Sequence, residues 1–301
     1  MNSSGPLISV LIPSYNHQDY IRETVESIRR QPYENIEMVV VDDCSTDGSR
    51  QVLEQLQQES GAPIRLYLNE RNRGVVPTVN AALGHAQGDL VVLFASDDLF
   101  CPDRFGSQLA LFAANPDLKI VYANGRVFSD GQSGRRLHDA RARELLDHPP
   151  AYIRHYLYTH TSPLFLQTAL IKRSLLQAVG GFDETATADD WLLNAKFFSV
   201  MRDRNEYAYV DEDVVLYRHH EGNIHRDYER QSRLKLEFVE RFTPPELKAE
   251  AFSNIHYDLA RLALKSGLRG EAVKHFLASQ RAGFSIGRLK FVTKLLRSLR
   301  A

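Results

Sequence analysis

Ile36-Glu37-Met38-Val39-Val40-Val41-Asp42-Asp43-Cys44-Ser45-Thr46-Asp47-Gly48-Ser49 is an apolar run that stops on a pair of carboxylates. A nearly continuous apolar run of this length reads as a strand buried on both faces, the kind found in parallel sheets. The same pattern recurs on either side. Residues 7–12 form a first such run, closed by Pro13, and Ile21, Val25 and Ile28 follow at helical spacing. Val52, Leu53 and Leu56 mark a second helix, residues 64–68 a third strand, and Pro77 opens a third helix striped by Val79, Ala82 and Leu83. Residues 90–94 are a fourth strand, running into Ser96-Asp97-Asp98. This alternation predicts right-handed βαβ units in a mostly parallel sheet flanked by helices, an α/β fold. Ligands of such sheets bind at the carboxyl ends of the strands. In this chain the acidic pairs sit at those ends.

Beyond residue 100 the alternation loosens. Residues 119–128 and 207–217 have strand character. Residues 130–150 are polar and Arg-rich and read as a loop or short helix, and residues 151–180 read as helical and aromatic. Residues 189–201 read as a helix with Trp191, Leu192, Ala195 and Phe198 inward. From about residue 227 the chain reads as helical throughout, with a hairpin over 245–283 turning at Gly267 to Gly270. The expected division is residues 1–228 as one α/β domain and 229–301 as a C-terminal helical extension.

The 301 residues are 43% hydrophobic and 25% charged, with 37 basic and 38 acidic side chains and a formal net charge of -1. That balance argues against wholesale nucleic-acid binding. Two cysteines make no disulfide framework and no metal-type spacing, which fits a reducing cytoplasm. No apolar run reaches the roughly 20 residues that spanning a bilayer requires. The expected location is therefore cytoplasmic.

Several groups carry possible chemistry. Asp42 and Asp43, at a strand end, either accept hydrogen bonds from a base N–H or a ribose hydroxyl or serve turn and capping chemistry, and Ser45 or Thr46 is expected to cap the following helix. Adjacent carboxylates such as Asp97 and Asp98 call for a neutralising cation or donors, and hard divalent cations bridge carboxylates to substrate phosphates. Asp189-Asp190-Trp191, after Gly180-Gly181-Phe182-Asp183-Glu184, offers either a charge at a helix start or a general base for an acceptor hydroxyl. In Tyr217-Arg218-His219-His220, with Asn223 beyond, a histidine is either an ordinary surface or core residue or a late metal ligand. Dinucleotide, P-loop and nucleophile-elbow signatures are absent.

In this order the pieces resemble the family 2 glycosyltransferases, whose fold is GT-A, a Rossmann-like layered sheet. The resemblance runs from about Ile8 to Asn223. It is carried by Ser9 to Asn16, by the segment quoted above, by Asn72-Arg73-Gly74, Asn80 and Gly88-Asp89, by Phe94 to Asp98, by Gly180 to Trp191, and by Tyr217 to Asn223. It implies a nucleotide-binding set of Pro13, Tyr15, Asn16, Asp42, Asp43, Asn72, Gly74, Ser96 and Asp97. It implies a divalent cation, Mn²⁺ or Mg²⁺, at Asp97, Asp98 and His220, and a catalytic base at Asp190. Asp189, Trp191, Arg218 and Asn223 are the implied diphosphate or acceptor contacts. The metal motif departs from the usual Asp-x-Asp-Asp: it reads Ala95-Ser96-Asp97-Asp98 and lacks the first carboxylate. Cys44 stands where glycine is frequent and reads as a small buried residue.

The implied activity is inverting transfer of a sugar from a nucleotide-diphosphate sugar to a hydroxyl of a saccharide or lipid-linked saccharide. By analogy this serves bacterial surface polysaccharide or lipopolysaccharide synthesis. A non-catalytic nucleotide-sugar or glycan-binding module is the alternative that Ala95 motivates, and a nucleotidyltransferase on a related sheet is a third. Residues 130–161 are expected to shape the acceptor pocket, with Arg141, Arg143, His155, Tyr158 and His160 as candidates. The tail, residues 285–301, is basic and carries Leu289, Val292, Leu296 and Leu299 at helical spacing. It reads either as a packed helix with a solvated basic face or as a helix lying peripherally on an anionic membrane surface.

Overall fold

The computed structural model describes residues 5–59, 61, 63–129, 131–186, 189–219, 228–283, 285, 288 and 291–293. Its first half is the expected alternation: β1 (Ile8–Ser14), α1 (Ile21–Arg29), β2 (Ile36–Asp42), α2 (Ser49–Gln58), β3 (Ile64–Leu68), α3 (Val75–His85) and β4 (Leu90–Leu93). These four strands are parallel, in the order β3-β2-β1-β4. β1, β2 and β4 bury both faces, whereas β3 at the sheet edge is mostly half-buried, and alternate residues go to different layers. Leu11, Val39, Val41, Val91 and Leu93 join one core with α3. Val10, Ile12, Met38, Val40 and Val92 join a second with α1 and α2. A helix-forming sequence would not divide its apolar residues two by two in this way.

The second half is mixed. After β5 (Leu99–Phe100) and α4 (Gly106–Ala114) come β6 (Ile120–Ser129), β7 (Gln132–Arg136), α5 (Ala140–Leu146), α6 (Pro150–Thr159), β8 (Leu170–Lys172), α7 (Arg173–Ala178), α8 (Asp189–Val200) and β9 (Tyr207–Arg218). The full sheet runs β3-β2-β1-β4-β8-β6-β9-β5, with β7 paired to β6. β8 lies antiparallel between β4 and β6, where residues 151–180 had read as helical. Leu170–Lys172 is only three residues long, too short to show a strand period, and its pairing is set by its neighbours. β7 is an exposed edge hairpin without an apolar pattern. It is held by Arg126 and Arg136, which both bind the Asp213 carboxylate.

The C-terminal helices are α9 (Tyr228–Phe242), α10 (Lys248–Lys265) and α11 (Arg269–Ala282). Gly267, with φ of 76°, makes the turn between the last two. Phe238 and Val239 of α9 and Ile255 and Leu259 of α10 lie in the same core as the sheet's α3 layer, so the extension continues that core. Among the described residues no helix is long and apolar enough to cross a membrane.

Gly88 shows how tightly the first strand is bounded. A Cβ there would sit 2.5 Å from the Leu7 carbonyl oxygen and 2.7 Å from the Ser9 nitrogen. Both are backbone atoms, so relief requires β1 to shift. Gly88→Ala should lower unfolding stability by about 1–3 kcal/mol in a urea titration. An unchanged midpoint would mean that the β1 edge yields freely.

Candidate active site

The parallel register places the end of β1 beside the two acidic strand ends, those of β2 and β4. Ser14 is opposite Asp42, and Leu11 is opposite Leu93, so the loops following β1, β2 and β4 emerge at one level. The turns that follow tie these loops to one another. The Asn16 side-chain oxygen accepts from the Thr46 N–H at 2.8 Å, and Asn16 itself takes the left-handed conformation, φ 54°. His17 Nδ1 lies 2.7 Å from Ser96 Oγ, joining the first loop to the third. Neither serine nor threonine caps α2. Ser45 Oγ instead donates to Asp42, the N-cap position is Gly48, which has no side chain to cap with, and Asp47 just before it accepts the Ser49 N–H at 2.9 Å. Cys44 also departs from its expected placement: it is half-buried rather than buried, and its φ is 63°. A position that requires positive φ favours glycine, which accounts for the glycine frequent there.

The two carboxylates of the first pair have separate surroundings. Asp42 is fully buried and accepts from Ser45 N at 3.0 Å and from Arg50 Nε at 2.9 Å. Asp43 accepts from Asn69 Nδ2 at 2.8 Å, Arg73 N at 2.9 Å and Gly74 N at 2.8 Å. It thereby fastens the Asn72-Arg73-Gly74 turn against β2. Asn72 adds a bond of 3.1 Å to Gly74 N, and Gly74 has φ of 88°. α3 begins at once, at Val75, with Pro77 inside its first turn, where no N–H is needed.

The second pair is more strained electrostatically. Asp97 and Asp98 are both buried. Asp98 Oδ1 accepts from the Arg218 N–H at 2.7 Å, while Oδ2 has no hydrogen-bond partner. Burial, then the neighbouring Asp97 charge, pushes the Asp98 carboxyl well above the usual carboxylate range, against the pull of Arg218. Arg218 is a clamp at this point. Its Nε donates to the Asp97 carbonyl at 2.7 Å, its Nη2 meets Glu23 at 2.6 Å, and its guanidinium lies between the Tyr20 and Phe128 rings. Ser96 is buried beside His17. An orphaned carboxylate oxygen next to a second buried carboxylate fits a hard cation, which takes one or two protein carboxylates plus substrate phosphates. Among the described residues no third acidic, His or Cys side chain joins them. His220 and Asn223 lie outside the described residues.

A cavity of about 580 Å³ opens from these strand ends. Pro13, Gly74 and Ala95 line its sheet side, Gln167 and Phe182 its flank, and Asp190 and Trp191 the side formed by α8. Asp190 is exposed in the first turn of α8. Its carbonyl accepts from Asn194, whose side-chain oxygen in turn accepts from Tyr122. Asp189 stands one residue earlier. Trp191 is buried, donates to the Leu157 carbonyl and stacks on Phe238 with centroids 3.7 Å apart, so its ring is part of the core as well as a cavity wall. Tyr15 is largely exposed at the loop after β1. The segment leading to α8 is held by Asn80, which exchanges bonds of 2.9 and 3.0 Å with the Phe182 backbone. Arg230 and Lys235, from α9, complete the far wall. These two carry no motif, and only the packing of the C-terminal helices brings them to the site.

Of the acceptor-side candidates, Arg141 and His160 line a neighbouring cavity, His155 pairs with Glu250 at 3.2 Å, and Tyr158 packs toward the core. Arg143 is exposed on α5. In the tail, Arg288 bonds Ser253 and Ser279, and Phe291 is buried against Tyr257 and Phe276. The rest of the basic stretch is outside the described residues.

Comparison with known proteins agrees with this geometry. The profile of the family described as Glycosyl transferase family 2 matches residues 9–180. The TuaG glycosyltransferase of Bacillus subtilis, named for teichuronic acid biosynthesis, is 43% identical over 109 residues, 36% of this chain and 43% of that protein. The Escherichia coli protein WfgD, named as a UDP-Glc:alpha-D-GlcNAc-diphosphoundecaprenol beta-1,3-glucosyltransferase, is 31% identical over 125 residues, 41% of this chain and 47% of that one. The chain thus spans about half the length of these curated relatives. The mannosyltransferase PcManGT of Pyrobaculum calidifontis, solved with GDP-Man and Mn²⁺, superposes with a TM-score of 0.62 at 22% identity, over 97% of this chain and 80% of that one. That likeness establishes the GT-A fold.

Proposed function

Because the chain belongs to glycosyl transferase family 2, we propose that it transfers a sugar, with inversion, from a nucleotide-diphosphate sugar to a hydroxyl of a saccharide or lipid-linked saccharide acceptor in bacterial polysaccharide synthesis. One observation carries the reading. A single cavity joins the carboxyl ends of β1 and β4, at Pro13 and Ala95, to the Asp190 carboxylate. The names of relatives acting in surface-polymer synthesis support the acceptor class.

The nucleotide lies over the loops after β1 and β2, where Pro13, Tyr15 and Asn16 meet base and ribose, the fully buried Asp42 supports the loop from beneath through Ser45 and Arg50, and Asp43 keeps the Asn72-Gly74 turn in place. The sugar then projects into the cavity toward α8. Asp190 accepts the proton of the acceptor hydroxyl as its oxygen attacks the anomeric carbon from the face opposite the leaving diphosphate, and the configuration inverts. General-base assistance of this kind contributes roughly 10²–10⁴-fold. Asp97 and Asp98 would hold a divalent cation, with His220 as the late ligand. When bound, the cation supplies Lewis-acid stabilisation of the leaving diphosphate. Arg218 keeps the Asp97-Asp98 turn in position and adds fixed positive charge beside it.

The metal reading is tested by titrating the protein with UDP and GDP in Mn²⁺ and in EDTA. Chelation should weaken nucleoside diphosphate binding by at least roughly tenfold, about 1.4 kcal/mol, and Asp97→Asn should remove most of the difference between the two buffers. Equal affinity in both buffers would count against the cation. The non-catalytic binding module is favoured by one feature, the apolar Ala95 in the cavity wall where the family pattern has a carboxylate. It predicts nucleotide-sugar binding without turnover.

A further inference from the structure

Beside the active-site cavity lies a second, of about 460 Å³, between the end of α6 and the face of α10. The two cavities share Thr161 and Lys235 in their walls, so they are adjoining chambers. The second chamber is strongly cationic. Arg141, Lys235, Arg261, Lys265 and Arg288 line it, against one carboxylate, Asp258. Arg141 is offset by Asp139 at 2.7 Å. Arg288 is fixed by neutral partners, the Ser253 and Ser279 hydroxyls and Asn254, and lies over the Tyr257 ring at 5.0 Å. Lys235, Arg261 and Lys265 have no salt-bridge partner among the described residues, and the lone Asp258 is engaged by Thr161 at 3.4 Å. Burial pushes the Lys235 ammonium down from its usual value, with Asp258 pulling the other way.

Cations gathered around one chamber repel one another, most strongly at the half-buried Lys235 and more weakly at the solvent-screened Arg261 and Lys265, and a multiply charged anion entering the chamber relieves that repulsion. Three cations without ion pairs exceed what a single carboxylate balances, and a group of two or more negative charges matches them. Arginine suits the planar, multidentate recognition of phosphate oxygens, and lysine adds point charge. We propose that this chamber binds a phosphate-rich group of the acceptor, a diphosphate or phosphodiester, while the acceptor hydroxyl reaches Asp190 through the shared wall. The assignment rests on the transferase reading and specifies the acceptor's chemistry.

The probe is inorganic pyrophosphate, titrated into the full chain in EDTA, which removes metal-linked binding at the donor loops. The comparison is wild type against the double variant Arg261→Glu, Lys265→Glu. Both positions are exposed, so the fold tolerates the change. Wild type should bind pyrophosphate, and the double variant should bind it at least roughly tenfold more weakly, because two attractions become repulsions. Unchanged affinity, or no binding by wild type at millimolar pyrophosphate, overturns the chamber. Phosphatidylglycerol vesicles are the second arm. Sedimentation with vesicles that the double variant abolishes, with pyrophosphate affinity unchanged, would overturn the proposal in favour of a membrane-surface patch. Nucleoside diphosphate titration in Mn²⁺ keeps the two readings apart. Nucleotide binding without pyrophosphate binding sinks the chamber alone, whereas loss of nucleotide binding in wild type sinks the transferase reading beneath it.

Discussion

Asp190→Asn should lower kcat for sugar transfer by roughly 10²–10⁴-fold and leave donor affinity within about twofold, the signature of an interaction made only in the transition state. The substitution is close to isosteric. The Asn194 bond to the residue-190 carbonyl is a backbone contact and survives it. Asp190 is exposed, so the amide adds no buried polar group, and the melting temperature should move by no more than a few degrees. What is lost is the ability to take a proton from the acceptor hydroxyl. Single-turnover transfer with saturating donor separates this step from binding. A variant that keeps transfer within about threefold would remove Asp190 from the chemistry and direct attention to Glu184 in the same cavity.

Asp43→Ala should damage stability and nucleotide binding together. Its carboxylate accepts three hydrogen bonds, from Asn69 Nδ2, Arg73 N and Gly74 N, and none of these donors is freely solvated. Gly74 N keeps a second acceptor in Asn72. Asn69 Nδ2 likewise keeps Thr78 Oγ1 at 3.4 Å, so the unmet cost falls mainly on Arg73 N, and about 1–3 kcal/mol of stability should disappear. The turn they secure opens α3 and lines the active-site cavity, so nucleoside diphosphate affinity should fall by roughly tenfold or more as well. Asp43→Asn, which keeps one acceptor oxygen, should lie between. A urea titration showing less than about 1 kcal/mol lost in Asp43→Ala would mean that the turn is held by other contacts.

The two halves of the chain were unequally legible. β1, β2 and β4 are apolar on both faces, β3 is a short edge strand with a mixed pattern, and each is followed by a turn or helix signal, so local pattern and final pairing agree. β8 and β7 have no such pattern. Leu170–Lys172 enters the sheet because β4 and β6 leave a gap of matching register, and Gln132–Arg136 is held by ion pairs to β9. Those are tertiary facts. The same division holds at the site. The acidic strand ends, the Asn72-Gly74 turn and the Asp190 helix start are local signals and could be read directly. Lys235 and Arg230 reach the cavity only because α9 docks there, and Gln167 only because the segment before β8 does. The cationic chamber likewise draws on α5, α6, α9 and α10, with no spacing in the sequence to announce it. Arg218 carried a recognisable motif, yet its observed contacts, to the Asp97 carbonyl, Glu23 and two rings, are those of a structural clamp.

The most direct test is to incubate the wild-type chain with a panel of UDP-, GDP- and dTDP-sugars in Mn²⁺, with saccharide and polyprenyl-diphosphate-linked saccharide acceptors, and to measure release of nucleoside diphosphate. The account predicts release from one donor above all others, dependent on acceptor and abolished by EDTA. Tight binding of a nucleotide sugar with no release across the panel would contradict it, and would make the chain a binding module in which Ala95 marks the lost chemistry.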